Sequence, residues 1–205
     1  MPAVAMQDAF TTLLDDDNPT PNVRHKVVLN VGCGYRGRGP HAAFQGPEWR
    51  ELRLDIDPSV TPDIIASIAD MRPVPSGSVD AVWSSHNLEH LYRHEVPVAL
   101  GEFLRVLRRA GELLVTMPDL QTVAQLVVND RLEDQAYVSP SGPISALDMI
   151  YGHAASVTAG NHFSAHKCGF TARTLTQLLY EAGFAGVEVW RDGFALWARA
   201  RKPPA

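Results

Sequence analysis

An apolar run that ends in closely spaced glycines constrains the fold of this chain more than any other feature. Residues 27–40 read VVLNVGCGYRGRGP. Residues 26–31 are mostly apolar and β-branched, which is typical of a strand buried on both faces. Gly32 and Gly34 leave the backbone bare directly after that strand, and Gly37 and Gly39 follow. This turn predicts either a ligand held against the backbone or no more than a tight bend.

Further strand-like segments follow at regular intervals. Residues 51–57, 63–68, 78–85 and 111–117 have the apolar pattern of strands. Residues 186–200 contain two more strand-like runs around Asp192 and Gly193, a dipeptide that favours a tight antiparallel hairpin. We therefore predict an α/β fold: a Rossmann-like, doubly wound, mostly parallel seven-stranded sheet with a C-terminal antiparallel hairpin.

Helical patterns lie between these strands. Apolar residues recur at i, i+3, i+4 and i+7 from Leu100, from Leu120 and from Leu175. Asp119 and Thr171 have the residue type and position of N-caps. The expected C-terminal glycines of the first and third helices are Gly111 and Gly183.

Composition narrows the classes of partner and the cellular compartment that we expect for the protein. The 205 residues carry a formal net charge of −5 and lack a long basic run, which argues against a nucleic-acid partner. Cys33 and Cys168 are the two cysteines, a number that favours free thiols in a reducing compartment. Neither a signal peptide nor an apolar stretch of membrane-spanning length is evident, so we expect a cytoplasmic protein without a membrane association. Residues 1–25 read as an N-terminal arm with a short helix over residues 3–14, and residues 26–205 read as one domain.

The strand ends indicate where a ligand binds. Open α/β sheets bind ligands beyond the carboxyl ends of their strands. Asp55 lies near the carboxyl end of the second predicted strand, 23 positions after Gly32 (55 − 32), close to the ~20 positions that separate a nucleotide-binding turn from its ribose-binding acid. A ligand that contains a nucleoside is therefore expected. Gly32, Gly34 and Gly37 also fit the dinucleotide pattern G-x-G-x-x-G, but residues 36–49 contain glycines and prolines where that pattern requires a helix.

Several motifs in order resemble the class I S-adenosylmethionine-dependent methyltransferases, in particular the type 11 group that acts on small molecules. The matching stretches are VLNVGCG, LRLDIDP, ADMRPVPSGSVDAVWSSHNLEHL, LRVLRRAGELLVTMPD and FTARTLTQLLYEAGFAGVEV, within about residues 26–200. Two departures from the family pattern are evident. Asn30 replaces a frequent acid, and the third glycine is displaced to Gly37 while the usual first helix is shortened or absent.

The resemblance implies a binding site for S-adenosylmethionine. The backbone of the glycine turn would approach the methionine part of the cofactor, Asp55 would hold the ribose hydroxyls and Ile56 would pack on the adenine. Asp70 would accept a hydrogen bond from the adenine amino group, and the Met71 backbone would contact the ring edge. The full set of cofactor-binding residues that we predict is Asn30, Gly32, Cys33, Gly34, Asp55, Ile56, Asp70, Met71, Ser84 and Ser85.

Residues 119–168 are expected to form a substrate-side lid. Histidine is the natural general base for a protonated acceptor, and we predict His166, His153 and His86 as the catalytic candidates, with His162 next. His86 and His90 also have the spacing of metal ligands, but we predict no metal because no third ligand follows at a convincing spacing.

Transfer of a methyl group to a small-molecule acceptor is the leading hypothesis, with O-methylation favoured over N-methylation. Two alternatives remain open from the sequence: a non-catalytic subunit that binds the cofactor, and a nicotinamide-dependent oxidoreductase. The N-terminal arm could serve as a lid or as a contact to a second subunit in a homodimer.

Overall fold

A computed structural model of the protein describes residues 24–37 and 39–204. The predicted helix over residues 3–14, and nearly all of the predicted N-terminal arm, lie outside the described residues. No helix in the described part of the chain combines the length and the apolar character needed to cross a membrane.

The described residues contain a seven-stranded sheet and a separate two-stranded hairpin. The strands are β1 (Lys26–Val31), β2 (Trp49–Asp55), β3 (Ile64–Ile65), β4 (Val79–Ser85), β5 (Leu107–Pro118), β6 (Gln135–Ser139), β7 (Gly142–Ser145), β8 (Ala185–Asp192) and β9 (Ala195–Arg201). The large sheet has the order β3-β2-β1-β4-β5-β9-β8, and β6 pairs with β7. The first five strands are parallel, whereas β9 runs antiparallel to β5 and to β8. The predicted fold class is confirmed.

Within the described residues, five α-helices connect or cover these strands. They are α1 (Val96–Val106), α2 (Leu120–Val128), α3 (Ala146–Tyr151), α4 (Ala154–Thr158) and α5 (Ala172–Glu181). The side chains of Asp119 and Thr171 cap α2 and α5 as predicted. Among the described residues between β1 and β2, a 3-10 turn over Ala42–Phe44 replaces an α-helix, which agrees with the glycines and prolines of that segment.

The prediction that Gly111 ends the first helix is wrong. Helix α1 ends at Val106, and β5 begins at the next residue, Leu107, which had been assigned to the helix from its spacing. The pairing of β5 with β4 then shifts across residues 108–111. A Cβ at Gly111 would lie 2.8 Å from the Arg108 carbonyl oxygen, so glycine is needed for this irregular start of the strand. Gly183, with a φ of +96°, follows α5 as predicted.

The core lies on both faces of the sheet. On one face, Phe103 of α1 and Leu175 and Leu179 of α5 pack against alternate side chains of the central strands and are fully buried. On the other face a smaller cluster contains Phe44 and Trp83. Because β1, β2, β4 and β5 are parallel, their carboxyl ends meet along one edge of the sheet. The candidate site lies at that edge.

Candidate functional site

The turn after β1 is tight, and two of its residues are glycines, which have no side chain. Gly32 and Gly34 have φ values of +64° and +61°, in the left-handed region that favours glycine. The N–H of Gly32 donates to the carbonyl oxygen of Leu54 in β2, at 2.8 Å. A Cβ at Gly32 would lie 2.6 Å from Cγ and Nδ2 of Asn87. The turn therefore has no room for side chains between the ends of β1 and β4.

The end of β2 holds this turn in place. The Asp55 carboxylate accepts the N–H of Gly34 at 2.9 Å and the N–H of Asp57 at 3.0 Å. Arg53 donates from its guanidinium to the carbonyl oxygens of Gly34 and Thr61. Asp55 thus faces the glycine turn, and each of its oxygens keeps a lone pair for a further donor. Sequence reasoning missed Arg53 because nothing in its spacing marks a residue that clamps a neighbouring loop.

Two of the predicted residues are buried behind the turn. Asn30 donates from Nδ2 to Oε1 of Glu51 at 2.6 Å and ties β1 to β2. Cys33 is also buried, and burial raises the pKa of its thiol to about 11. The side chains of both predicted residues are therefore buried.

The predicted adenine-binding residues follow β2 and β3 along the chain. Ile56 is 46% exposed, a high value for an isoleucine. The Asp70 carboxylate forms a bidentate ion pair with Arg72, whose guanidinium lowers the pKa of Asp70. The Met71 N–H already donates to Glu102 at 2.7 Å. A contact between the Met71 backbone and adenine would therefore require this hydrogen bond to be exchanged.

The segment after β4 brings ionisable groups together. Ser84 is buried and Ser85 is half-buried. His86 follows with a φ of +49°, and its backbone N–H donates to the Thr116 carbonyl oxygen in β5 at 2.8 Å. Its Nδ1 lies 3.3 Å from Oε1 of Glu89, and its side chain is 46% exposed whereas that of Glu89 is 1% exposed. This separation is slightly longer than a well-formed hydrogen bond, so the contact is mainly electrostatic.

Glu89 is the centre of this group. Burial works to raise the pKa of Glu89, but the three histidines His86, His90 and His166 outweigh burial and hold that pKa below its usual value. The rings of His90 and His166 have their centroids 4.9 Å apart. Burial lowers the pKa of His166. Sequence reasoning missed this cluster because His166 is far from Glu89 along the chain.

The predicted catalytic histidines therefore separate into two groups. His86 and His166 both lie beside Glu89. His153 is the N-cap residue of α4, with Nδ1 2.8 Å from the Ser156 hydroxyl, and His162 is exposed in a 3-10 turn. Neither is a member of the Glu89 cluster.

The segment 119–168 contains α2, the β6–β7 hairpin, α3 and α4. Its end is fixed against the segment that follows β4, because the backbone N–H groups of Lys167 and Cys168 both donate to the Glu89 carbonyl oxygen, at 2.8 and 3.2 Å. Nδ1 of His166 contacts the Met149 carbonyl oxygen at 3.0 Å. The segment thus contributes a histidine to the edge of the sheet where the glycine turn lies.

The residues at this edge fit a nucleoside with an amino-acid tail. The glycine turn presents backbone without a side chain, because a Cβ at Gly32 would collide with Asn87, and Asp55 offers an acceptor beside it. Nδ2 of Asn87, next to Gly32, is a buried donor with no hydrogen-bond partner among the described residues. A sheet with this topology and this bare turn is the Rossmann-like fold of the class I S-adenosylmethionine-dependent methyltransferases.

Comparisons with known proteins agree with this class. Residues 29–115 match the family model described as a methyltransferase domain. No curated protein sequence matches the chain significantly. The domain match over residues 29–115 and the shared fold make the chain similar to class I S-adenosylmethionine-dependent methyltransferases. The domain match favours a methyltransferase over the nicotinamide-dependent alternative.

Solved structures share the fold at low sequence identity. A methyltransferase dependent on S-adenosylmethionine from Archaeoglobus fulgidus is 13% identical with a TM-score of 0.57, over 97% of this chain and 93% of that one. A protein of an O-methyltransferase family from Burkholderia thailandensis is 12% identical with a TM-score of 0.57; the match covers 98% of this chain but only 58% of that one. The 1,6-didemethyltoxoflavin-N1-methyltransferase of the same organism, solved with S-adenosylhomocysteine, is 16% identical with a TM-score of 0.51, over 98% and 79%.

Proposed function

We propose that this protein methylates a hydroxyl group of a small molecule, with His86 as the general base. The observation that carries the proposal is the placement of His86. It lies at the carboxyl end of β4, half-exposed, with Nδ1 directed at the buried Glu89 carboxylate. A histidine whose Nδ1–H faces a carboxylate keeps the lone pair of Nε2 for a proton from the acceptor.

The cofactor-binding residues of the proposal lie at or after the carboxyl ends of β1 to β4. Gly32 and Gly34 let the amino-acid tail of the cofactor approach the backbone, and Asp55 accepts hydrogen bonds from the ribose hydroxyls. Ile56 covers one face of the adenine, and Asp70 receives the adenine amino group by giving up part of its pairing with Arg72. We add Asn87, because a rotation of its side chain would present the unpaired Nδ2 donor to the cofactor carboxylate.

Glu89 and the lid position the catalytic base and the acceptor. When bound, S-adenosylmethionine would supply a methyl group on a sulfonium, whose carbon–sulfur bond breaks as the acceptor oxygen bonds to the methyl carbon in line, with S-adenosylhomocysteine as the leaving group. Holding the acceptor oxygen against that methyl group and excluding water supply much of the acceleration. Glu89 fixes the His86 ring, and the segment 119–168 covers the acceptor as a lid. His166 lines this side, whereas His153 holds α4 through its contact with Ser156.

The polar loops and the overall negative charge favour a small-molecule acceptor in the cytoplasm over nucleic acid or a membrane surface. O-methylation is preferred to N-methylation because a neutral hydroxyl must lose a proton, and the His86–Glu89 pair is placed to remove one. An amine that is already deprotonated needs no such base.

A turnover assay tests the proposal. The purified chain is incubated with S-adenosylmethionine and a panel of small hydroxylated and amine compounds, and S-adenosylhomocysteine is measured by mass spectrometry. We expect a hydroxylated acceptor to be methylated, and His86→Ala to lower kcat by about 100-fold or more. His25→Ala is the matched control, because His25 precedes β1 at the opposite end of the strand.

Three results would contradict the proposal. Methylation confined to amines would remove the hydroxyl acceptor, and full turnover by His86→Ala would remove the base. A loss of turnover in His153→Ala with normal turnover in His86→Ala would transfer the role of the base to His153.

A further inference from the structure

His90, the last residue of the 3-10 turn Leu88–His90, has a carbonyl oxygen beside each of its ring nitrogens. Its Nδ1 lies 3.2 Å from the Ala165 carbonyl oxygen, and its Nε2 lies 3.0 Å from the His86 carbonyl oxygen. Both distances are those of N–H···O hydrogen bonds. A carbonyl oxygen only accepts, and a neutral imidazole has a single N–H. Both contacts are therefore favourable only when His90 is an imidazolium with a proton on each nitrogen.

The adjacent Glu89 carboxylate needs a positive charge close by. Glu89 is 1% exposed, and neither of its carboxylate oxygens has a hydrogen-bond partner in the described part of the chain. Such a carboxylate is strongly destabilised unless a cation compensates for its lost hydration. A ring nitrogen of His90 lies within 4.8 Å of a Glu89 carboxylate oxygen, a distance at which two opposite charges attract strongly in a buried setting. Each residue thus supplies the charge that the other lacks.

The other ionisable groups around Glu89 are poorer sources of this charge. Burial lowers the pKa of His166, which favours its neutral form. Burial, together with the Glu89 charge, raises the pKa of the Cys168 thiol to about 11, so this group is uncharged at neutral pH. Arg93 acts on Cys168 and is exposed. His86 is half-exposed, and its Nδ1 contacts Glu89 only at 3.3 Å.

We propose that His90 is an imidazolium whose charge balances the buried Glu89 carboxylate, and that this balance leaves His86 neutral. The three histidines around Glu89 then have three different roles. His90 carries the positive charge, His166 is neutral, and His86 keeps the lone pair on Nε2 that the removal of a proton requires. The part that concerns His86 rests on the proposed function, whereas the charge on His90 rests on its contacts alone.

His90 also joins the two segments that border the acceptor side of the site. Its Nε2–H donates to the backbone of His86, and its Nδ1–H donates to the backbone of Ala165 near the end of the segment 119–168. Loss of one ring proton would remove one of these two hydrogen bonds and leave the Glu89 charge without compensation. His90 is therefore a positioning residue, which acts through His86 and the lid and does not touch the acceptor.

Nitrogen NMR of the isotope-labelled chain, with neither cofactor nor acceptor present, tests the charge directly. Couplings from the carbon-bound ring protons report whether each ring nitrogen carries a proton. At pH 7.5, where an ordinary histidine is mostly neutral, we expect protons on both nitrogens of His90. The internal control is His94, which is exposed and stacks on Tyr92 outside the cluster, and it should lose its second proton at a lower pH than His90. A proton-free nitrogen in His90 at pH 7.5 would overturn the proposal.

Removing each charge should move the protonation of His86 in opposite directions, which the same NMR titration measures. In His90→Gln the Glu89 charge has no cation, so His86 should keep its second ring proton to a pH higher by about one unit or more. In Glu89→Gln the charge of His90 should act in reverse on His86, and His90 should itself lose its second proton at a lower pH. The double variant lacks both buried charges, so it should fold even where His90→Gln does not, and its His86 should titrate as in the wild type.

The same displacements should appear in the pH profile of methyl transfer. A protonated His86 cannot take a proton from the acceptor, so the acid limb of the kcat profile should move to higher pH by about one unit or more in His90→Gln. It should move to lower pH in Glu89→Gln and stay in place in His94→Gln. A merely structural role of His90 would lower kcat at every pH without moving the limb, and that result would overturn the link to His86.

The proposed function and the charge on His90 can fail separately. An absence of methyl transfer to every hydroxylated acceptor would remove the proposed function, and the NMR titrations would still decide the state of His90. Loss of turnover in His86→Ala together with an unmoved acid limb in His90→Gln would keep His86 as the base and overturn only the balance of charge proposed here.

Discussion

Replacing Gly32 by alanine tests the glycine turn with a matched control elsewhere in the chain. Gly32 has a φ of +64°, and an added Cβ would lie 2.6 Å from the Asn87 side chain. Gly77, before β4, has a φ of +63°, but no atom lies within 4 Å of the position that its Cβ would take. The two substitutions therefore share the same backbone strain and differ in the contact with Asn87.

The expected decreases in the free energy of unfolding follow from these contacts. A left-handed backbone costs a residue with a Cβ roughly 1–2 kcal/mol, and alanine recovers about 0.4–1 kcal/mol by restricting the unfolded chain. Gly77→Ala should therefore lower the free energy of unfolding by about 1 kcal/mol. At Gly32 the buried Asn87 side chain must also move, and overpacking of this kind costs roughly 1–3 kcal/mol. Gly32→Ala should then lower the free energy of unfolding by about 2–4 kcal/mol.

Urea unfolding of both variants measures this difference, and calorimetric titration with S-adenosylhomocysteine measures binding. Adding Asn87→Ala to Gly32→Ala should restore much of the lost stability, because the steric contact disappears. Gly32→Ala should also weaken binding of S-adenosylhomocysteine at least about tenfold, through loss of the close backbone approach, whereas Gly77→Ala should not. Equal losses of stability at the two glycines would refute the predicted contact. Unchanged binding by Gly32→Ala would refute the placement of the cofactor.

Two further predictions concern the ends of β5 and β1. Burial alone would raise the pKa of Asp119, but neighbouring donors that include Arg191, at 2.6 Å, outweigh it and hold that pKa below its usual value. Its contribution to stability is therefore present above about pH 4 and lost as the pH falls further. Asp119→Asn should lower the free energy of unfolding by about 2 kcal/mol at pH 7, and the difference between the urea curves of variant and wild type should shrink steadily as the pH falls below about 4. A difference that stays constant from pH 7 down through the acid range would contradict this account. The Cys33 thiol, with its pKa raised to about 11, should react with iodoacetamide at pH 8 at least about 100-fold more slowly than a free cysteine of pKa ~8.5. In a Cys168→Ala background the rate should still be rising at pH 10, and a plateau below pH 9 would exclude the raised pKa.

The central strands could be predicted from the sequence because each is an apolar run bounded by residues that stop strands. Residues 26–31 are strand β1 in full, and the C-terminal hairpin forms with its turn at Gly193 and Phe194, one position later than the predicted dipeptide. Residues 63–68 form a strand only over Ile64–Ile65. This strand lies at the edge of the sheet and pairs with β2 alone, so its length depends on one neighbour that the local sequence does not reveal.

The candidate site could be predicted from the sequence only where the position of a residue after a strand indicates its role. Asp55 faces the glycine turn as its position after β2 suggested. The cluster around Glu89 was not foreseen, because His166 reaches it from a separate segment and a helical spacing of His86 and His90 gives no sign of that contact. The bidentate pairing of Asp70 with Arg72 was also not foreseen, since neighbouring charges two positions apart pair only when the chain turns between them.

The structure of a complex with S-adenosylhomocysteine is the most direct test of the central claim, which is that the carboxyl ends of β1 and β2 hold the cofactor. We predict that both ribose hydroxyls lie within about 2.5–3.0 Å of the Asp55 carboxylate oxygens, with the amino-acid tail against Gly32 and Gly34. A complex in which the ribose contacts neither oxygen of Asp55, or in which the ligand lies away from the glycine turn, would contradict the claim.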